Sequence, residues 1–277
     1  MPSFWSVERD GDAIVATCPE ALRYLSDDRA DWMARCAAAL RDELRLLKIA
    51  PGTLLEATLI GDPSRGADLE NVLLDNVGVP AAQLHAGVRL RRMPAGGAGV
   101  VQRYRRVPVV EDVGDDPAAV LAQVRVPITD GSELETARHA WLAVRRSVVE
   151  HFPAGTEVPP GPIELRVRVV VRDPGRGSTE LVKVLGGVVA AFHVYGGAHL
   201  EEVVRRLALE LGEDPERVRT LVSSPRGALL GGRDCFSLRG DRVQVSPADD
   251  RIHAAEVVLV AGAVSQLEIE LRAMSAA

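Results

Sequence analysis

Apolar residues along this chain fall into two periods. From about Asp28 to Lys48, the residues Trp32, Met33, Cys36, Ala37, Leu40, Leu44 and Leu47 recur at steps of three and four, an apolar stripe along one side of a helix. Asp27 or Asp28 can cap its start, and Pro51-Gly52 stops it. Before it, Phe4 to Glu8 and Ala13 to Thr17 flank Asp10-Gly11-Asp12 as the arms of a hairpin. After it, Thr53 to Ile60 reads as a strand, followed by the loop Gly61-Asp62-Pro63-Ser64-Arg65-Gly66. A short helix over Asp68 to Val77 comes next, with Gly78 free to take its C-terminal turn, and then strands at Val88 to Arg92 and Val100 to Val110.

The order then repeats. Ser132-Glu133-Leu134-Glu135 has the spacing of a capping box and opens a helix to about Phe152. Ile163 to Val169 alternates as a strand with one wet face, and the loop Asp173-Pro174-Gly175-Arg176-Gly177 leads to a helix over Ser178 to about Tyr195. Two further helices, His199 to Leu211 and Pro215 to Val222 with Asp214 as cap, precede strands at Arg242 to Val245, Ile252 to Val260 and Gln266 to Leu271. The two Asp-Pro-x-Arg-Gly loops begin 111 residues apart, at Asp62 and Asp173, and each sits between a strand and a helix. The pattern therefore predicts an α+β fold of two related helix-strand-loop-helix-strand halves, packed as an internal pseudo-dimer. The first half spans 1–112; the second spans 113–277 and carries a helical insertion over about 199–222.

Composition adds limits. With 277 residues, 47% of them apolar, the chain can bury a large core. Its 33 basic and 39 acidic side chains leave a formal charge of −6, which argues against a nucleic-acid coat protein. Cys18, Cys36 and Cys235 are odd in number and too far apart in sequence for a zinc knuckle, so they read as buried thiols. No run approaches the roughly 18 apolar residues of a membrane span, and the expectation is a cytoplasmic protein with no membrane contact. Only Lys48 and Lys183 are lysines and only Asn71 and Asn76 are asparagines, a bias that codon drift in a GC-rich genome produces.

Candidate chemistry gathers in Gly66 to Gly78. On a helix, Asp68, Asn71 and Asp75 share roughly one side, and the carboxylates of Asp68, Glu70 and Asp75 are oxygen ligands suited to magnesium. Helix capping is the other use of Asp68 and Glu70. Elsewhere Arg89-Leu90-Arg91-Arg92 and Arg103-Tyr104-Arg105-Arg106, if on adjacent strands, would form a stripe in which Arg91, Arg92, Arg103 and Arg105 meet phosphates and Tyr104 stacks. A solvated face balancing nearby carboxylates is the alternative. His193, Tyr195 and His199 lack a fourth ligand for zinc, and Pro94 to Gly99 lacks the lysine of a phosphate loop.

A strand and loop followed by Asp68-Leu69-Glu70-Asn71 opening a helix resembles the Asp-x-Asp-Asn-x-x-Lys-x-x-x-Asp helix of RusA-type Holliday junction resolvases. Leu181-Val182-Lys183-Val184-Leu185 is similar to the lysine turn of that helix, and Asp249-Asp250-Arg251-Ile252 to the family's later Asp-Asp element. The first half has Leu74 at the lysine position and Gly78 at the last acid; the second has Gly177 and Thr179 at the first two acids, Glu180 at the asparagine and Gly187 at the last acid. The resemblance implies a composite catalytic set, Asp68 and Glu70 from one half with Lys183, Asp249 and Asp250 from the other, using magnesium. The expectation is a diverged, non-catalytic RusA-like protein that binds DNA or a protein partner. A metal-dependent endonuclease of branched DNA and an accessory subunit with protein contacts only remain open, as does an oligomer.

Overall fold

Alternation of apolar and charged residues over 163–169 and 267–271 builds strands with one wet face, because successive side chains point to opposite faces of a sheet. The computed structural model describes residues 5–22, 31–61, 69–94, 99–109, 120–129, 131–172, 180–245 and 249–274. The first half contributes β1 (Ser6–Asp10), β2 (Ala13–Cys18), α1 (Asp31–Arg45), β3 (Thr53–Ile60), β4 (Gly87–Met93) and β5 (Val100–Pro108). The second begins with β6 (Val120–Pro127), α2 (Ala137–His151), β7 (Ile163–Val171) and α3 (Leu181–Ala191). Next come β8 (Val194–Tyr195), α4 (Leu200–Leu211), α5 (Pro215–Ser223), β9 (Gly232–Arg233) and the hairpin of β10 (Phe236–Arg239) with β11 (Arg242–Val245). Two long strands, β12 (Ile252–Ala261) and β13 (Gln266–Ala273), end the chain. The fold is α+β, and no helix among the described residues is long and apolar enough to cross a membrane.

Nine strands make one mixed sheet in the order β1-β2-β5-β3-β4-β12-β7-β13-β6. Within it, β2-β5-β3-β4 pair antiparallel, antiparallel and parallel, and β6-β13-β7-β12 pair in the same sequence of senses. The two runs meet where β4 lies antiparallel to β12. Leu55, Ala57 and Leu59 of β3 and Leu165, Val167 and Val169 of β7 point into one core with Val88, Leu90, Val257, Leu267 and Ile269. The inward residues of β3 and β7 all carry odd numbers, so the two strands are offset by an even number and not by the 111 residues that separate the two loops in sequence. Both loops lie outside the described residues.

Several elements differ from the pattern. The second-half helix is capped not by Ser132 but by Thr136, whose hydroxyl accepts from the His139 amide at 3.3 Å, while 131–134 form a separate 3₁₀ turn. The helix expected to reach Tyr195 stops at Ala191, and Val194–Tyr195 pairs instead with Gly232–Arg233. The pattern assignment omits β6, although Val120, Ala122, Val124 and Val126 alternate within it. The short helix after β3 contains a π-helical turn, Asn71–Asp75, which ends on Gly78 at φ +72° with the Gly78 amide donating to Leu74 O at 2.8 Å. Asn76, one of the scarce asparagines, donates to Leu22 O at 2.7 Å and so ties this turn to the chain leaving β2.

Two buried features fix the packing, one between the halves and one within the second. Gly87 opens β4 at φ +138°, and a Cβ there would lie 2.5 Å from Val257 O of β12. Arg145 of α2 is wholly buried and donates to Ala191 O at the end of α3 and Leu221 O of α5, both at 2.9 Å, and to Ser224 O. Burial lowers its guanidinium to about 10, so it stays charged at neutral pH and serves the electronegative ends of two helices. Gly87→Val should cost at least about 2 kcal/mol, from the backbone clash and the φ that valine rejects, read as a lower urea midpoint. Arg145→Met should cost about 3 kcal/mol or more in the same assay, because three buried carbonyls lose their donor.

Candidate nucleic-acid interface

The residues proposed for catalysis lie on the helix side of the sheet. Asp68 falls outside the described residues. Glu70 packs where α3 has no side chain: a Cβ on Gly186 would meet its carboxylate at 3.4 Å. Glu70 and Asp249, from opposite halves, line one small cavity of about 30 Å³ whose other walls are Leu69, Leu90, Leu185, Val189, Ile252 and Ala255. This space holds no more than about one water.

The rest of that set is committed elsewhere. Asp249 is buried, with His193 Nε2 at 3.4 Å, the Arg251 guanidinium at 3.3 Å and the Arg251 amide donating at 2.9 Å. Burial alone would raise its pKa, but these donors hold the carboxyl well below the usual carboxylate range. Asp250 is exposed and pairs with Arg233 at 2.5 Å. Lys183 is half-exposed on α3 and pairs with Glu180 at 2.6 Å, although its charge also reaches Asp75 across the gap between the two halves' helices. Leu74, at the family's lysine position, is buried. Among the described residues no three His, Cys, Asp or Glu side chains could together hold a metal ion, so Glu70 and Asp75 do not make the expected magnesium site with the other described residues.

The glycines at the family's last acid have packing reasons. Gly78 needs its positive φ to end the turn. At Gly187 a Cβ would lie 2.3 Å from Ala137 O of α2, so α2 and α3 touch backbone to backbone where an aspartate would have to stand.

The arginine clusters face differently from the expected stripe. β4 and β5 are not neighbours, because β3 lies between them. Tyr104 points into the core, where its hydroxyl donates to Leu73 O at 2.8 Å with Gln102 Oε1 3.0 Å away, so it offers no stacking surface. Arg92 shares the inner face of Val88 and Leu90, where its charge adds to burial in holding the His253 imidazole below its usual value. Arg91, Arg103 and Arg105 do reach the outer face.

On that outer face, polar residues stand opposite one another across seven strands, six of them charged: Arg105, Glu56, Arg89, Glu256, Arg166, Glu270 and the neutral Gln123 are successive register partners. Glu56 accepts from Arg105 at 2.6 Å, with Arg89 and Arg91 each at 3.7 Å; Arg89 reaches Glu256 at 2.5 Å; Gln123 donates to Glu270 at 2.7 Å. The outermost guanidiniums stand above the acids. Side-chain exposure is 5% for Glu56, 19% for Glu256, 20% for Glu270 and 32% for Glu268, against 50% for Arg91, 43% for Arg105 and 44% for Arg168, while Arg89 at 15% and Arg166 at 30% lie as deep as the acids they adjoin. A concavity of about 490 Å³ lies over the ladder, lined by five arginines, Arg91, Arg125 and Arg168 among them, and by Glu164, Glu256, Glu268 and Glu270. Arg91, Arg105 and Arg168 stand out farther than the glutamates of the ladder, so an anion can reach their guanidiniums. The sequence signal for the second-half residues is the alternation of Arg166 and Arg168 with Leu165, Val167 and Val169, and of Glu268 and Glu270 with Leu267 and Ile269.

No protein-family model and no curated protein matches this chain.

The Asp249 network makes a pH prediction. Its folded pKa is depressed, so its contribution to stability is present above the unfolded value of about 3.9 and is lost as pH falls through that value toward the folded one. In urea titrations, Asp249→Asn should be less stable than wild type at neutral pH. The gap should narrow below about pH 4, where the carboxyl of the unfolded wild-type chain begins to protonate while the folded one stays ionised.

Proposed function

We propose that this chain is a non-catalytic, nucleic-acid-binding relative of the RusA-type resolvases, built from two copies of one unit, and that it holds the phosphate backbone on the outer face of its sheet. The observation that carries the binding is the difference in height between recessed carboxylates and outward guanidiniums on one face of an otherwise acidic chain. Phosphate contacts dominate nucleic-acid affinity, and arginine is suited to them by its planar fork of donors. No aromatic residue stands on the outer face of the seven strands from β5 to β6, so recognition there is of backbone rather than of bases. Support for the RusA relationship and for duplication comes from the repeated pairing order of the two four-strand runs and from the Asp-x-Glu-Asn sequence opening the turn after β3. Three buried free thiols fit a reducing compartment such as the cytoplasm.

Loss of catalysis follows from packing: Leu74, Gly78 and Gly187 stand where chemistry would need charge, and Asp249 is bound internally. One observation favours a second reading, a surviving endonuclease, namely that Glu70 and Asp249 come from opposite halves to one cavity.

Anisotropy with a labelled DNA duplex and a labelled four-way junction tests both. Binding should weaken steeply between about 50 and 200 mM salt. The combined Arg91→Ala, Arg103→Ala and Arg168→Ala substitutions should lower affinity about tenfold or more and reduce the salt slope by about one per arginine. Salt-independent binding, or binding that the triple variant leaves intact, would refute the assignment of this face. Magnesium-dependent cleavage of the junction that Glu70→Gln abolishes would replace it with the endonuclease reading.

A further inference from the structure

The sheet is finished differently at its two ends. At the first-half end the outer edge of β2 is covered by β1, through register pairs from Ser6 with Thr17 to Asp10 with Ala13. At the other end β6 holds the place of β2. Each is the last strand of its four-strand run, and each precedes a long helix that packs back on it, α1 on β2 and α2 on β6. The inner edge of β6 is taken by β13, from Gln266 with Pro127 to Arg272 with Val120, and no strand among the described residues pairs with its outer edge. An eight-residue edge strand presents a row of unpaired backbone donors and acceptors about 26 Å long, which is a template for another strand.

We propose that β6 is the assembly edge of the molecule and that its occupant is β6 of a second copy, paired antiparallel across a two-fold axis. Antiparallel pairing at a strand edge is how the chain joins its own halves at β4 and β12. The strand is self-complementary in this sense. With Gln123 or Val124 on the axis, Arg125 stands opposite Leu121 or Gln123 of the second copy and not opposite itself, so no like charges meet. On the inner face Val120, Ala122, Val124 and Val126 are apolar along the whole strand and meet their own kind, extending the core beneath two α2 helices.

The opposite edge does not invite the same pairing. β1 carries Glu8, Arg9 and Asp10 in succession, all exposed, which blunts it against further strands. Assembly through β6 alone is isologous and closes as a dimer rather than growing into a filament. The pairing does not depend on what the outer face binds, although it would join two outer faces into one continuous surface.

Sedimentation of the intact protein over the micromolar range should give twice the chain mass, with dissociation on dilution. In hydrogen exchange, alternate β6 amides, those directed away from β13, should gain protection as concentration rises. Gln123→Lys, at an exposed position, places a lysine opposite Arg125 or opposite itself in either register. It should weaken the dimer at least about tenfold while circular dichroism and the urea midpoint stay near wild type. A monomer at all concentrations overturns the proposal, whether those amides exchange freely or are protected at every dilution by the protein's own chain. So does a dimer that Gln123→Lys leaves unchanged.

Discussion

Nine strands become one sheet because β4 and β12 pair antiparallel, and that single seam positions nearly everything else. Gly87 permits the approach, since any side chain there would run into the β12 backbone. Arg89 and Glu256 stand opposite each other across it and are both mostly buried, so their contact is worth more than an exposed ion pair and would be costly to break on one side. The seam also brings the helical turn after β3 beside α3, which is why Glu70 of one half and Asp249 of the other come to share a cavity. On the opposite face, the same register lets the alternation of arginine and glutamate run uninterrupted from β5 to β13.

The described residues pack tightly on the helix side. The space between Glu70 and Asp249 is walled by leucine, valine, isoleucine and alanine. Gly186 and Gly187 set how closely these elements approach: the first admits a carboxylate against α3, and the second admits the backbone of α2. With α2 that close, the buried Arg145 can reach the ends of α3 and α5 together, tying the inserted helices to the seam. What would be lost by opening this side is a connected set of buried donors and acceptors.

Local chemistry made much of this fold readable in advance. The strand Ile163–Val171, the cap at Asp214 and the hairpin around Gly11 follow from side-chain period and turn residues alone. Strand order does not. Nothing in Arg89 to Arg92 or Arg103 to Arg106 announces that Glu56 will lie between them, because adjacency in a sheet depends on crossovers and not on neighbouring sequence. The face taken by Tyr104 was accessible from period two, since it alternates in phase with the buried Val100 and Gln102, and the cluster of arginines around it obscures that phase. The roles of Gly87 and Gly187 depend on distances of a few ångströms between segments remote in sequence, which composition does not encode.

The acidic balance of the chain and an anion-facing sheet are compatible because charge acts locally. At the ionic strength of a cell, fields decay over about 8 Å, so an approaching phosphate responds to the groups nearest to it rather than to the formal charge of −6. Many of the carboxylates lie far from the outer face, on α4 and α5, where Glu201, Glu202 and Glu216 pair with Arg219, Arg205 and Arg206. On the sheet Glu56 is deeply recessed, and its pairing with Arg105 holds that guanidinium above it. A glutamate beneath an arginine therefore does two things: it removes the self-repulsion that a bare arginine cluster would suffer, and it fixes the direction in which the remaining donors point. Arg91, Arg103 and Arg168 have only long contacts to acids, at 3.7, 3.5 and 3.9 Å, so much of their donor capacity is left for a ligand. Their positions on β4, β5 and β7 place them on both sides of the seam, so a ligand spanning them would bind the two halves together.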